Sequence, residues 1–216
     1  MKWTEALTPP RGEHIHHGYW PTPQSKATDC KEVAQINLIR LLLDTSALRP
    51  GSRVLDVGCG IGGTSRYLAT NLACSVTGIT ISGKQVQLAT RLTRDEIAKS
   101  KAQRESEGEV APDADGFLPL GEGKVRFIEL DAEKMGEFFA DETGGFDAIW
   151  ISEALSHFPS KELFFRNAQK VLKEGGRLVL ADWFKVEGLG EKEFEQNIKP
   201  IEGRFSLSLF FSPSDP

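Results

Sequence analysis

The chain has 216 residues, 39% apolar and 26% charged, with a formal net charge of −5, which suits one soluble globular domain with a sizeable core. The acidic balance offers no basic field for a phosphate backbone, so nucleic acid is not an expected partner. No run approaches the roughly 18 apolar residues of a membrane span, and the three cysteines, Cys30, Cys59 and Cys74, suggest neither a disulfide framework nor a zinc knuckle, so the expected compartment is the cytoplasm.

Residues 1–28 read as an irregular segment punctuated by Pro9, Pro10, Pro21 and Pro23, with an aromatic and histidine cluster between them. From about Asp29 to Leu43 the apolar residues recur at helical spacing, and Pro50-Gly51 closes that stretch. Arg53 to Val57 is a predicted strand, Gly63 to Leu72 a helix, Ser75 to Ile81 a second strand, and Ser82 to Lys99 a second long helix. Residues 100–123, rich in Glu, Gly, Asp and Pro, read as an exposed insertion before a third strand over Lys124 to Leu130. A fourth strand is expected at Phe146 to Ile151, a helix at Lys161 to Leu172, a turn at Gly175-Gly176 and a fifth strand at Arg177 to Ala181. Strands separated by helices argue for βαβ units and a parallel sheet covered on both faces. Residues 29–184 would form this domain, with 185–216 a partial lid and a divergent tail whose strand-like run is Phe205 to Phe211.

The first strand ends in Asp56-Val-Gly58-Cys-Gly60-Ile-Gly62-Gly63 and opens a helix. Glycines let the backbone turn tightly and approach a ligand, and the helix start directs free N–H groups at an anion. The spacing fits a dinucleotide pyrophosphate and the carboxylate of S-adenosyl-L-methionine equally. Asp56 separates them, because an acid there can receive an ammonium or organise the loop but offers a pyrophosphate nothing. A dinucleotide site also expects an acid about 20 residues onward, whereas the second strand ends Gly78-Ile-Thr80-Ile81-Ser82.

Four blocks resemble class I S-adenosylmethionine-dependent methyltransferases of the tocopherol C-methyltransferase and sterol 24-C-methyltransferase group. They are Glu13-His-Ile-His-His-Gly-Tyr-Trp20, Val54 through Tyr67, Gly78-Ile-Thr-Ile-Ser82 followed by Gln85, and Ser152-Glu-Ala-Leu-Ser-His-Phe158. The resemblance implies a Rossmann-like, mostly parallel, doubly wound α/β sheet and methyl transfer to a small lipophilic or aromatic metabolite, as in secondary metabolism. It implies that Gly58, Gly60 and Gly62 face the methionine part of the cofactor with Asp56 near its amino group. Thr80, Ile81 and Gln85 would take the ribose and one adenine face, and Asp131 with Ala132 the adenine edge. Glu153 and His157 would line the point of methyl delivery as the acid–base pair, sharing a face if that turn is helical. Tyr19 would fold over the sulfonium as an aromatic wall, or pack on the core as a latch.

His14, His16 and His17 invite a metal reading, but no Asp, Glu or Cys follows at ligand spacing, and no metal is expected. Two other functions stay in view: a non-catalytic cofactor-binding protein of the same fold, and an NAD-dependent oxidoreductase. The resembled family continues into a lid and a final antiparallel strand pair. Here the resemblance fades after Glu191 to Gly203, so the expectation is a chain short at both ends that lacks one or both of those strands.

Overall fold

The computed structural model describes residues 14–103, 110–141, 145–183, 190–193 and 195–196. Helices α1 (Pro23–Thr28) and α2 (Lys31–Ser46) precede β1 (Arg53–Val57), α3 (Gly63–Leu72), β2 (Ser75–Thr80) and α4 (Gly83–Gln103). Then come β3 (Leu118–Leu120), β4 (Gly123–Glu129), α5 (Met135–Phe138), β5 (Phe146–Ser152), α6 (Lys161–Val171) and β6 (Leu172–Ala181). The sheet order is β3-β4-β2-β1-β5-β6. All pairings are parallel except β3 with β4. Successive strands run outward from β1 in one direction through β2 and β4, and in the other through β5 and β6. The strand ends of β1 and β5 therefore flank a topological switch point, the place where ligands bind in open α/β sheets.

Both faces of the sheet are covered, so its strands are apolar at alternate and intervening positions alike. Leu55, Val57, Ile79, Ile149 and Ile151 pack on Met135, Phe139, Phe164 and Ala168 from α5 and α6 and the turn between them. Val54, Val76, Val125 and Trp150 face the other way, onto Ile39 of α2, Leu68 of α3 and Ile97 of α4. The α2 carboxyl end is capped from the sheet edge: Arg177 donates to the Ser46 and Ala47 carbonyls at 2.6 and 2.7 Å.

The structure departs from the sequence reading at four elements. Pro23–Thr28 is a helix, started by a reciprocal cap between Thr22 and Ser25. The stretch read as an exposed insertion begins as the last turn of α4, contains β3 and ends on the first residue of β4, with Phe117, Leu118 and Leu120 buried. Two further turns, Ala132–Lys134 and α5, follow β4. Gly175-Gly176 lies within β6 rather than before it: Gly175 takes φ +73°, and the β5–β6 register jumps from Phe146↔Leu172 to Ala148↔Arg177. A glycine bulge absorbs the extra residues without ending the strand. Phe205 to Phe211 and most of 185–216 lie outside the described residues.

The candidate cofactor site at the switch point

The loop after β1 is bent by glycines in the left-handed region, with φ of 71° at Gly58, 55° at Gly60 and 77° at Gly62. The N–H groups of Gly58 and Cys59 both donate to the Ile79 carbonyl, at 2.9 and 3.0 Å, which pins the loop to the end of β2. A Cβ on Gly58 would stand 2.4 Å from Cβ of Ala154, in the turn after β5. The glycine thus lets the β1 and β5 ends close on each other. α3 begins directly after the loop, and its first-turn N–H groups carry the positive end of the helix dipole.

Asp56 is 3% exposed and receives a hydrogen bond from the Ser65 hydroxyl at 2.5 Å. Its carboxylate therefore braces the first turn of α3 against β1. Burial pushes its pKa up to about 6, against the lowering effect of the Ser65 hydrogen bonds. Arg66 holds the other side of the loop, donating to the Ile61 carbonyl at 2.7 Å and pairing with Glu96 of α4 at 3.2 Å.

At the end of β2, the Thr80 hydroxyl donates to the Gln85 amide oxygen at 2.6 Å, and the Ser82 N–H donates back to Thr80 at 3.3 Å. A hydroxyl and an amide occupy the place where dinucleotide sites carry an acid. Ile81 beside them is 76% exposed, an apolar side chain held out at the carboxyl end of the sheet. A carboxylate that the sequence reading did not weigh stands nearby: Glu129, paired in register with Thr80, lies against Gly83 at the start of α4. Asp131 follows β4 and caps the next turn, its Oδ1 accepting from the Glu133 N–H at 2.9 Å, while Ala132 is buried. The parallel register of β2 and β4, with the Leu130 N–H on the Thr80 carbonyl at 2.9 Å, places Thr80 and Asp131 at the carboxyl ends of neighbouring strands.

Glu153 is not joined to His157. Its carboxylate takes two hydrogen bonds from His17: the main-chain N–H reaches Oε1 at 3.0 Å and Nδ1 reaches Oε2 at 2.7 Å. His157 lies on the 3-10 turn Leu155–His157 and is exposed. That turn is fastened from the β6 end, where Asp182 accepts from the Leu155 and Ser156 N–H groups at 2.8 and 3.2 Å. The pairing was hidden in the sequence because 136 positions separate its members.

Of the amino-terminal segment, Ile15 and His17 reach the carboxyl end of the sheet, whereas Tyr19 is tied by its N–H to the Ala34 carbonyl of α2 at 2.8 Å and is 37% exposed. The Ile15 side chain ends 2.5 Å from where a Cβ on Gly60 would stand. His14 and His16 are buried, and burial lowers the pKa of both, His14 to about 4. Among the described residues no group of three or more His, Cys, Asp or Glu is disposed to hold a metal ion, and no helix is long and apolar enough to cross a membrane.

Glycine loop, helix amino terminus and polar strand ends around a switch point together define a Rossmann-like α/β domain. Residues 55–180 match the family model of the methyltransferase domain. The chain belongs to that family. It is 38% identical over 191 residues to the 2-methyl-6-phytyl-1,4-hydroquinone methyltransferase of Synechocystis, covering 84% of this chain and 49% of the relative. It is 32% identical to O-methyltransferase rstn1 of Aspergillus nomiae, covering 89% and 72% of the two chains. The solved [4+2]-cyclase SpnF is 28% identical with a TM-score of 0.58, covering 82% of this chain and 55% of that one. The cyclopropane synthase MmaA2 from Mycobacterium tuberculosis shares the fold at 23% identity and a TM-score of 0.57, covering 84% and 52%. The chain spans about half the length of the first of these relatives.

Proposed function

We propose that this chain binds S-adenosyl-L-methionine and transfers its methyl group to a small lipophilic or aromatic metabolite. The glycine loop carries the reading: left-handed at Gly58, Gly60 and Gly62, it opens the start of α3 at the switch point. The donor set fits that cofactor. The α3 amino terminus suits its carboxylate, Asp56 supports the loop beneath its amino group, and Thr80 and Gln85 offer a hydroxyl and an amide to ribose hydroxyls. Ile81 offers an apolar face to adenine and Asp131, with Ala132 behind it, an acceptor to the adenine amino group. Tyr19, tied to α2 and partly exposed, is not assigned to the wall of the site.

The cofactor, when bound, supplies a methyl group already activated by a sulfonium. What remains for the chain is alignment and, where the nucleophile is a phenol or aromatic carbon, removal of one proton. Glu153 lines the delivery point, and His157, exposed on the adjoining turn, is the assigned base. The acceptor class is supported by relatives named for hydroquinone and tocopherol methylation. A reducing compartment such as the cytoplasm is part of the reading, supported by the free thiols Cys30, Cys59 and Cys74.

Isothermal titration with S-adenosylhomocysteine tests cofactor binding, and absence of binding to folded protein refutes it. Methyl transfer from labelled cofactor to a panel of phenols, hydroquinones, sterols and amines tests the acceptor class. With a phenolic acceptor, His157→Gln should lower turnover by about 10²–10⁴-fold with cofactor affinity retained; an unchanged rate removes His157 as base.

A further inference from the structure

Residues 14–20 cross the carboxyl end of the sheet as a strap with two anchors of different character. The inner anchor is buried against α2. Gln35, 1% exposed, donates its Nε2 to the carbonyls of His14 and His16, at 3.1 and 2.5 Å, and the Tyr19 N–H donates to Ala34. Gly18 lets this contact form, since a Cβ there would stand 2.5 Å from the Ala34 side chain.

The outer anchor is the His17–Glu153 pair, and it is open to solvent: the His17 side chain is 66% exposed. An ionised carboxylate only accepts, so Nδ1 of His17 carries the hydrogen in this contact. The His17 ring also meets Trp183 edge-on at 4.8 Å, just past β6. Glu153 is held for this contact in a left-handed conformation, φ +55°, and its own N–H is fixed on the Ala181 carbonyl at 2.7 Å. A non-glycine residue pays for that backbone with strain, which a fold retains where surrounding contacts over-determine it. Ile15, flanked by the two carbonyls of the inner anchor, is seated on Gly60 of the glycine loop.

We infer that His17 is a positioning residue: through Glu153 it latches the strap over the glycine loop, and ligand exchange requires that pair to break while the strap pivots on α2. The inference rests on the proposed cofactor reading for what the strap encloses, but not for the latch itself.

The test uses the full chain and S-adenosylhomocysteine, with dissociation followed by stopped-flow tryptophan fluorescence and amide exchange followed without ligand. His17→Ala and Glu153→Asn should each speed dissociation about tenfold. Asn tolerates the left-handed backbone at position 153, so the fold survives that change. The double variant should dissociate no faster than Glu153→Asn, which removes the acceptor of both hydrogen bonds, whereas the main-chain one survives in His17→Ala. His17→Asn, whose side-chain N–H stands near the position of Nδ1–H, should return the rate to within about threefold of the parent, as substitution of an equivalent donor implies. Dissociation unchanged in His17→Ala, additive effects, or failure of the Asn variant to rescue overturns the assignment. If the parent binds no S-adenosylhomocysteine, the cofactor reading fails and exchange decides the latch alone. Faster exchange at residues 15–18 in His17→Ala then supports it, and unchanged exchange overturns it.

Discussion

Gly58 and Gly51 share a left-handed backbone, with φ of 71° and 77°, but not their surroundings. A Cβ on Gly51 meets nothing within 4 Å, whereas one on Gly58 runs into Ala154. Gly51→Ala should therefore cost only the conformational term, about 1–2 kcal/mol. Gly58→Ala adds a forced separation of the β1 and β5 ends and should cost about 2–5 kcal/mol, with loss of cofactor binding. Urea unfolding of the two variants checks the contrast, and equal costs would show that the Gly58 contact relaxes freely. Two buried titrating groups act in opposite directions. His14 has its pKa lowered from 6.5 to about 4 by burial first, then by the charges of His16 and Arg66, and its Nδ1 has no hydrogen-bond partner among the described residues. Between those values the unfolded chain binds more protons than the folded one, so this residue makes stability rise with pH. Asp56 is raised from 3.8 to about 6, so between those values the folded state holds the extra proton and stability falls with rising pH. Asp56→Asn should steepen the rise in urea midpoint between about pH 4 and about pH 6.5, and His14→Gln should flatten or reverse it. An unaltered slope in both variants would mean that neither group titrates across that window.

The amino-terminal strap is an element without regular secondary structure, and one side chain of α2, Gln35, holds two of its buried carbonyls. Gln35→Leu removes the donor to two buried carbonyls, so it should cost about 1–3 kcal/mol and raise amide exchange along residues 14–18; unaltered exchange would place the inner anchor elsewhere. Elements of this kind are where the sequence was hardest to read. β1 and α3 were predicted residue for residue, because an apolar run followed by glycines and then a helical repeat has a single local solution. β3 has three residues with Pro119 in the middle and was passed over. Proline is accepted there because the strand lies at an edge, and burial of Leu118 and Leu120 on the α3–α4 side decides its structure. The helix at Pro23–Thr28 is hard to see in the sequence because its cap uses Ser25 in place of the usual Glu or Gln. In the candidate site, the glycine loop is legible as a local pattern, whereas Thr80 and Gln85 stand out only through the family resemblance. The His17–Glu153 contact is legible in neither way, because it joins two segments that only the closed topology brings together.

The candidate site draws on the ends of β1, β2, β4 and β5 and on the strap, so its geometry depends on both layers that hold the sheet. Leu68 of α3 and Phe164 of α6 are each fully buried, on opposite faces of that sheet. Leu68→Ala should cost about 2–5 kcal/mol and Phe164→Ala about 3–5 kcal/mol through lost burial and residual cavity. The central strands are shared between the two layers: Leu55 and Ile151 face one, Val54 and Trp150 the other. Neither layer has a sheet of its own to fall back on, so losing one exposes the apolar face of strands that the other still needs covered. Unfolding should therefore remain a single transition in each variant, seen alike by tryptophan fluorescence and far-ultraviolet dichroism. Separated by the sheet and without common partners, the two changes should also add to within about 0.5 kcal/mol in the double variant. Two resolved transitions, or strong non-additivity, would mean that the faces fold as distinct units and that the switch-point site can be lost while half of the core persists.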